Sequence, residues 1–271
     1  MSLPTPAPGR TAIVTGASSG IGAEIARELA RRGHGLVLVA RRAGRLEELA
    51  ADLADRGVRI DIAPLDLTDR EARAGLVDLV EGLGLEADLL VNNAGLSTSG
   101  PVQRADPARE ANMIELDVVA LADLCTRFLP GMVARARGAV LNVASTAAFQ
   151  PLPGQAGYGA CKAFVLSYTR ALAGELRGTG VSASALCPGP VRTEFADVAG
   201  FGEEAAEGAL PEFMWVEAAE VARAGLDGLA RGHQVVIPGL ANRAAAATAA
   251  LAPKSLLVPI MARVHPSLRE S

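Results

Sequence analysis

"TAIVTGASSGIG", residues 11–22, is the stretch on which the fold turns. Its first half is a short apolar run with β-branched residues, and its second half is glycine-rich and opens onto a helical pattern from Ile21 to Arg32. Gly16, Gly20 and Gly22 let the backbone turn tightly and approach a ligand closely. The helix start beyond them offers free N–H groups and the positive end of a dipole, which suits a pyrophosphate. Ser18 and Ile21 belong to the same turn. The glycine spacing departs from G-x-G-x-x-G, so the turn taken alone reads equally as a tight connection.

The rest of the chain repeats this alternation. "GLVLVA", "RIDIAPLD", "DLLVNNAG", "AVLNVAS", "VSASALCPG" and "QVVIPG" read as further strands, with amphipathic helical stretches between them. Continuous apolar strands separated by helices predict an α/β fold, a doubly wound parallel sheet covered on both faces. The expected organisation is a single domain over 10–240, with residues 1–9 a polar, Pro-rich disordered tail and not a signal peptide. A Gly-rich, acidic segment at about 192–216 reads as a flap. Residues 241–271 read as a helical extension, its apolar run cut by Pro253, Lys254 and Pro259 into two packed or interface helices, with shallow membrane contact as the alternative.

Composition narrows the function. At 271 residues, half of them apolar and 21% charged, the chain is globular. A net charge of −4 with both signs interspersed argues against nucleic acid. Cys125, Cys161 and Cys187 are widely spaced thiols without metal-ligand spacing. They read as reduced core residues in a cytosolic protein, with no metal site.

A second strand that ends an α/β unit of this kind commonly carries an acidic residue for a ribose 2′-hydroxyl. Here it ends in Ala40, followed by Arg41 and Arg42. An uncharged residue plus arginine suits a 2′-phosphate, which takes bidentate cationic donors; a solvated charge pair is the alternative.

"YGACK", residues 158–162, carries the chemistry. The chain meets nearly every need for a basic side chain with arginine: its lysines are Lys162 and Lys254, and its two tyrosines are Tyr158 and Tyr168. Positions i and i+4 share a helix face, so Tyr158 and Lys162 address one ligand. A phenol with a pKa of about 10 is a poor acid–base catalyst at neutral pH, and a nearby ammonium lowers that value. Tyr168 has no lysine at i+4 and reads as packing. Upstream, "LNVAST" ends a strand at Ser145, where a hydroxyl donates to the oxygen of a bound carbonyl.

With "TGASSGIG", "NNAG" at 92–95, Ser145, the Y-x-x-x-K of Tyr158 and Lys162, and "PGPVRT" at 188–193, the sequence resembles the short-chain dehydrogenase/reductase family over about residues 10–240. The resemblance implies a Rossmann-type fold and a nicotinamide dinucleotide. It implies that Gly16, Gly20 and Gly22 approach the pyrophosphate, that Asp66 contacts the adenine with Leu67 beside it, and that Asn93 and Gly95 pack under the adenosine ribose. Val191 and Thr193 then hold the carboxamide. Tyr158 donates or accepts the proton, Lys162 binds the nicotinamide ribose and tunes Tyr158, and Ser145 orients the substrate oxygen. The chain departs from the family at Asp117, where an asparagine supports a proton relay. The family also implies a homodimer or homotetramer.

The expected activity is NADP-dependent hydride transfer between the nicotinamide and a carbonyl/alcohol pair. Phe195, Phe201, Phe213, Met214 and Trp215 in the flap suggest an apolar substrate. The rivals are a dinucleotide-binding regulator without turnover and a membrane-surface or scaffold role for the C-terminal helices.

Overall fold

The computed structural model describes residues 3–195, 211–264 and 268. All seven β-type stretches form strands: β1 (Arg10–Thr15), β2 (Gly35–Ala40), β3 (Ile60–Pro64), β4 (Glu86–Asn92), β5 (Gly138–Val143), β6 (Val181–Leu186) and β7 (Val235–Val236). They make one parallel sheet in the order β3-β2-β1-β4-β5-β6-β7. The chain winds outward from β1 to β3, then crosses back to start again at β4. That reversal leaves a crevice beyond the carboxyl ends of β1 and β4, where ligands of such sheets bind.

Helices cover both faces. On one side α1 (Gly20–Arg31), α2 (Ala43–Asp52) and α8 (Ala218–Ala230) bury Ile25, Leu29, Leu46, Leu49, Val221 and Leu226 against the strands. On the other, α4 (Leu76–Gly82), α6 (Leu121–Ala134) and α7 (Ala156–Glu175) bury Leu76, Val80, Leu124, Phe128, Val165 and Leu172. Because both strand faces are covered, the strands carry unbroken apolar runs such as Leu36–Val39, which is wholly buried. The sheet is the doubly wound fold expected from the sequence.

Two buried polar features fix positions within these layers. Asn92 on β4 donates through Nδ2 to Asn142 Oδ1 on β5 at 2.9 Å, and Asn142 donates to Thr169 Oγ1 on α7, also at 2.9 Å. This chain of side chains pins α7 over the sheet. Arg73, on the short helix α3 (Arg70–Ala74), is 2% exposed and bonds Glu115, Asp123 and the Leu67 carbonyl. A buried guanidinium is tolerated only when its donors are met in this way.

Between α5 (Pro107–Ile114) and α6 the helix does not break. It widens into a π-turn over Glu115–Ala120, and Asp117 is turned inward to 2% exposure. Such widenings re-aim side chains by accommodating one extra residue per turn.

Residues 3–9, expected as a disordered tail, instead lie against the domain. Leu3 packs on the core, the Thr5 carbonyl accepts from Arg137, and Arg10 N–H donates to the Ala7 carbonyl at 3.1 Å. At the other end, α9 (Leu240–Leu251) and α10 (Lys254–Val264) meet at Pro253. Asn242, Ala246 and Ala249 on α9 are buried, and Asn242 Nδ2 donates to the Met214 carbonyl at 2.9 Å. Among the described residues no helix is long and apolar enough to cross a membrane.

Glu28 ties α1 to α8. Its carboxylate accepts from Arg31 and Arg32, and Arg32 reaches on to Asp227 of α8 at 2.7 Å. The Arg31 hydrogen bond, with Arg32 behind it, outweighs burial and lowers the Glu28 pKa from 4.5 to about 2. Folding lowers this pKa, so the stabilisation is fully present above pH 4.5 and is lost as pH falls towards 2. Replacement Glu28→Gln should therefore lower the denaturation midpoint at neutral pH, and the gap from the native protein should close on acidification through that window. A gap independent of pH would show that the charge is not what Glu28 contributes.

Candidate active site

The site assembles at the switch point between β1 and β4. Gly16 has φ +65°, and a Cβ there would lie 2.8 Å from Ala94 Cα; at Gly22 it would lie 2.3 Å from the Gly16 carbonyl oxygen. Both positions therefore exclude any side chain. The contact is closed by Thr15, whose hydroxyl donates to the Val91 carbonyl and accepts from the N–H groups of Asn93 and Ala94. Asn93 Nδ2 donates to the Thr15 carbonyl at 3.0 Å and the Gly16 carbonyl at 3.3 Å. The glycine turn and "NNAG" form one rigid backbone surface above the start of α1. Thr193 lies across it, its methyl 3.1 Å from where a Gly20 Cβ would sit, and Val191 is held by a bridge to Val216.

The two arginines after β2 diverge. Arg41 turns towards Asp66, at 4.0 Å, whereas Arg42 faces the glycine turn and donates to Ser18 Oγ at 3.0 Å and Ser19 Oγ at 2.8 Å. A carboxylate already sits on Arg42: Glu194 accepts from it at 3.0 Å and lies 3.4 Å from Arg45. The Arg42 hydrogen bond leads in holding the Glu194 pKa down. An anion cradle of two arginines and two hydroxyls thus borders the turn. Burial works upward on Asp66, but the N–H and hydroxyl of Thr68, followed by Arg41, carry its carboxyl below the usual range. Leu67 is buried, and its carbonyl is taken by Arg73.

Beyond β5 lie the residues singled out from "YGACK" and "LNVAST". Ser145 caps a short 3₁₀ turn over Thr146–Phe149, and its Oγ accepts from Ala147 N–H at 3.1 Å. The turn is anchored to the end of β6 by Thr146 N–H donating to the Pro188 carbonyl at 2.8 Å. Tyr158 lies in the first turn of α7, and Ser145 acts on its phenol in favour of the phenolate. Lys162 stands one turn further on, its Nζ 5.6 Å from the Tyr158 ring centroid and 3.3 Å from the Val143 carbonyl.

Asp117 completes the cluster. Its Oδ2 faces Lys162 Nζ at 2.9 Å, an ion contact rather than an aligned hydrogen bond, and its Oδ1 accepts from Leu96 N–H at 2.7 Å. Gly95 lies directly on the pair, since a Cβ there would meet Asp117 Oδ2 and Lys162 Nζ at 3.2 Å. Burial pushes the Asp117 carboxyl upward against the pull of Lys162. Burial disfavours the Lys162 charge, yet the Asp117 carboxylate holds the ammonium above its ordinary pKa. By its 2.9 Å contact the pair is a buried salt bridge.

Some neighbours carried no signal in the sequence. Gln155 Nε2 donates to the buried Ser97 Oγ at 2.8 Å, and Thr98 donates to Glu110, whose carboxylate packs on Gly157 next to Tyr158. Phe195 sets its ring 5.9 Å from that of Tyr158. Phe213 is exposed, and Trp215 stacks with Arg192 at 5.5 Å. Most of the expected flap, including Phe201, lies outside the described residues. Tyr168 packs on Phe164, in keeping with a packing role. Among the described residues no cluster of histidine, cysteine and carboxylate side chains suits a metal ion.

A family model for short chain dehydrogenase matches residues 10–202, and the chain belongs to that family. It is 39% identical over 200 residues to sulfoacetaldehyde reductase 2 of Chromohalobacter salexigens, covering 73% of this chain and 79% of that one. Among solved structures it resembles a short-chain dehydrogenase from Sphingobium yanoikuyae in complex with NADPH, with a TM-score of 0.79, 38% identity, and 92% and 95% of the two chains covered. It also resembles a family member from Burkholderia phymatum in complex with NAD, with a TM-score of 0.78, 26% identity and 88% and 92% covered. The fold is thus that of a family of oxidoreductases that use a nicotinamide cofactor on small molecules.

The ion pair has a stability consequence. Replacing Lys162 with Met leaves a buried carboxylate unpaired, which typically costs about 3–5 kcal/mol. Adding Asp117→Asn to that variant removes the stranded charge. Denaturation at neutral pH should show the double variant more stable than Lys162→Met alone, and simple additivity of the two losses would rule the pairing out.

Proposed function

We propose that the protein is an NADP-dependent oxidoreductase acting on a carbonyl/alcohol pair, with Ser145, Tyr158 and Lys162 as its catalytic residues. The observation that carries this is the convergence of the Ser145 hydroxyl, the Tyr158 phenol and the Lys162 ammonium at the carboxyl edge of the sheet, beside a glycine turn without room for a Cβ. That turn, with Asn93, Gly95, Val191 and Thr193 around it, fits a dinucleotide: it presents backbone N–H groups at a helix start and excludes side chains from the ligand's path. Bound there, a reduced nicotinamide supplies the hydride that a carbonyl carbon accepts, and is itself oxidised.

The protein's own work is to hold and protonate the oxygen. Ser145, fixed by its cap on the following turn, donates a hydrogen bond to the carbonyl oxygen. Tyr158 transfers its phenolic proton to that oxygen as the alcohol forms. Burial raises the Tyr158 pKa first of all, and Lys162 and Ser145 oppose that rise by favouring the phenolate. Lys162 also offers donors to the nicotinamide ribose. Phe195 beside Tyr158 makes an apolar wall, which favours a substrate with an apolar group next to its carbonyl.

The cradle of Arg42, Ser18 and Ser19 supports NADP(H) over NAD(H), with Arg41 at its rim. The carboxylate of Glu194 already occupies the position an anionic group would take there. A regulator without turnover has no use for the Ser145, Tyr158 and Lys162 cluster.

Two measurements test this reading. Tyr158→Phe should abolish NADPH-dependent reduction of aldehydes and ketones while leaving NADPH affinity nearly unchanged, because only the proton is lost. Near-normal turnover in that variant would refute the mechanism. Titration of both cofactors should show a preference for NADPH that falls roughly ten- to a hundredfold in Arg42→Ala and less in Arg41→Ala, the worth of charge-assisted bonds to a phosphate. Equal affinities in the native protein would remove the cradle from cofactor choice.

A further inference from the structure

The charge arrangement beneath Tyr158 bears on the direction in which the site works. Lys162 is the cation nearest the phenol, and its counter-ion is Asp117, 2% exposed, with Oδ2 at 2.9 Å from Nζ. The π-turn over Glu115–Ala120 carries the carboxylate there, the Leu96 N–H fixes it, and Gly95 closes over it. Neither ion has room to leave.

The other groups facing the phenol are few. Cys161 lies next to Lys162 on α7, and burial pushes its thiol up to about 11, so it is neutral near pH 7. Ser145 at the end of β5 is an uncharged hydroxyl, and Phe195 is apolar. Glu110, on α5, acts on Cys161 and bonds Thr98. The charges that act on Tyr158 are therefore the Lys162 ammonium and, opposing part of its pull, the Asp117 carboxylate in contact with it. A lone ammonium in the same place would pull strongly towards phenolate.

We propose that Asp117 is a positioning residue that opposes the pull of Lys162 on Tyr158, raising the pH at which the phenol gives up its proton and, with it, the pH at which alcohol oxidation sets in. The inference rests on the oxidoreductase reading for its consequence in turnover. Reduction consumes the phenolic proton, which passes to the carbonyl oxygen and is replaced from solvent. Oxidation requires the phenol to have lost that proton beforehand and to take up the hydroxyl proton of the alcohol. A protonated Tyr158 serves the first and obstructs the second. The burial that raises its pKa, and the further upward push from Asp117, act in the same direction.

Tyr158 can be observed without any turnover, because the chain has only two tyrosines. In a Tyr168→Phe background, the near-ultraviolet absorbance of the phenolate reports Tyr158 alone, with Tyr158→Phe/Tyr168→Phe as the baseline. The midpoint should lie above that of free tyrosine, about 10. It should fall by about one pH unit or more in Asp117→Asn, as expected for removing a unit charge at close range. Asp117→Ser should repeat the fall if the asparagine variant folds poorly, and Asp117→Glu, which keeps the charge, should restore the midpoint. Circular dichroism over the same pH range keeps unfolding apart from titration. A midpoint in the neutral range with Asp117 present, or identical midpoints with and without the carboxylate, would overturn the proposal. In turnover, the rising alkaline limb of alcohol oxidation should move down in pH in Asp117→Asn while carbonyl reduction at neutral pH is retained. If the midpoints move as expected but no carbonyl compound is reduced by the native protein, the oxidoreductase reading fails and the charge balance stands.

Discussion

The close approach of the first glycine turn to the backbone of "NNAG" is the constraint on which the site depends. Two loops from the carboxyl ends of neighbouring strands meet with no space for a Cβ at Gly16 or Gly22, and the Thr15 hydroxyl bonds across the junction to Val91 and Asn93. Everything nearby inherits this geometry. The start of α1 is fixed relative to β4, and Gly95, at the end of the same segment, is brought down onto Lys162 and Asp117. The glycine turn and the cluster of Lys162 and Asp117 consequently meet at two ends of one continuous stretch of backbone. A change in either loop is transmitted to the other.

The second requirement is electrostatic. An ammonium and a carboxylate are costly to take out of water, and their attraction offsets that cost only when the remaining donors and acceptors are met. Here the Val143 carbonyl takes one Lys162 donor and the Leu96 N–H takes one Asp117 oxygen. The π-turn is what allows the carboxylate to reach inward, and it lies in the middle of a helix that otherwise runs without a break from α5 to α6. A regular α-helix would present the same residue at a different angle. The local irregularity and the buried ion pair are thus one feature.

Much of this was legible in the residues and some of it was not. The central strands announce themselves as apolar runs such as Leu36–Val39, because a sheet covered on both faces leaves them no polar side, while β3 and β6 keep polar residues such as Asp61 and Ser182. The meeting of Tyr158 and Lys162 follows from helix geometry, and Ser145 from its place at a strand end. Only the resemblance places Asp117 near Lys162, since nothing in "MIELDVVAL" announces the π-turn that turns it inward. The sequence puts Arg41 ahead of Arg42 for a 2′-phosphate, whereas in the fold Arg41 turns towards Asp66 and Arg42 towards Ser18. Residues 3–9 read as a disordered tail by composition, and in the fold the Thr5 carbonyl lies against Arg137. Ser97 with Gln155 and Glu110 with Thr98 bring together residues far apart in sequence, and no local pattern links them.

The two charged contacts at the edges of the site differ in a way that their distances hide. Arg42 with Glu194 and Lys162 with Asp117 are separated by 3.0 and 2.9 Å. The first is about half exposed on both sides, while the second is almost wholly buried. In water-screened surroundings an ion pair contributes little, about 0–1 kcal/mol, so an arriving anion exchanges readily with Glu194 for the same arginine. In the buried pair there is no competing solvent, and loss of either partner strands the other. A charge at the rim is therefore cheaply released, and one inside is not. The same chemistry of a basic and an acidic side chain in contact serves opposite ends because the dielectric around it differs.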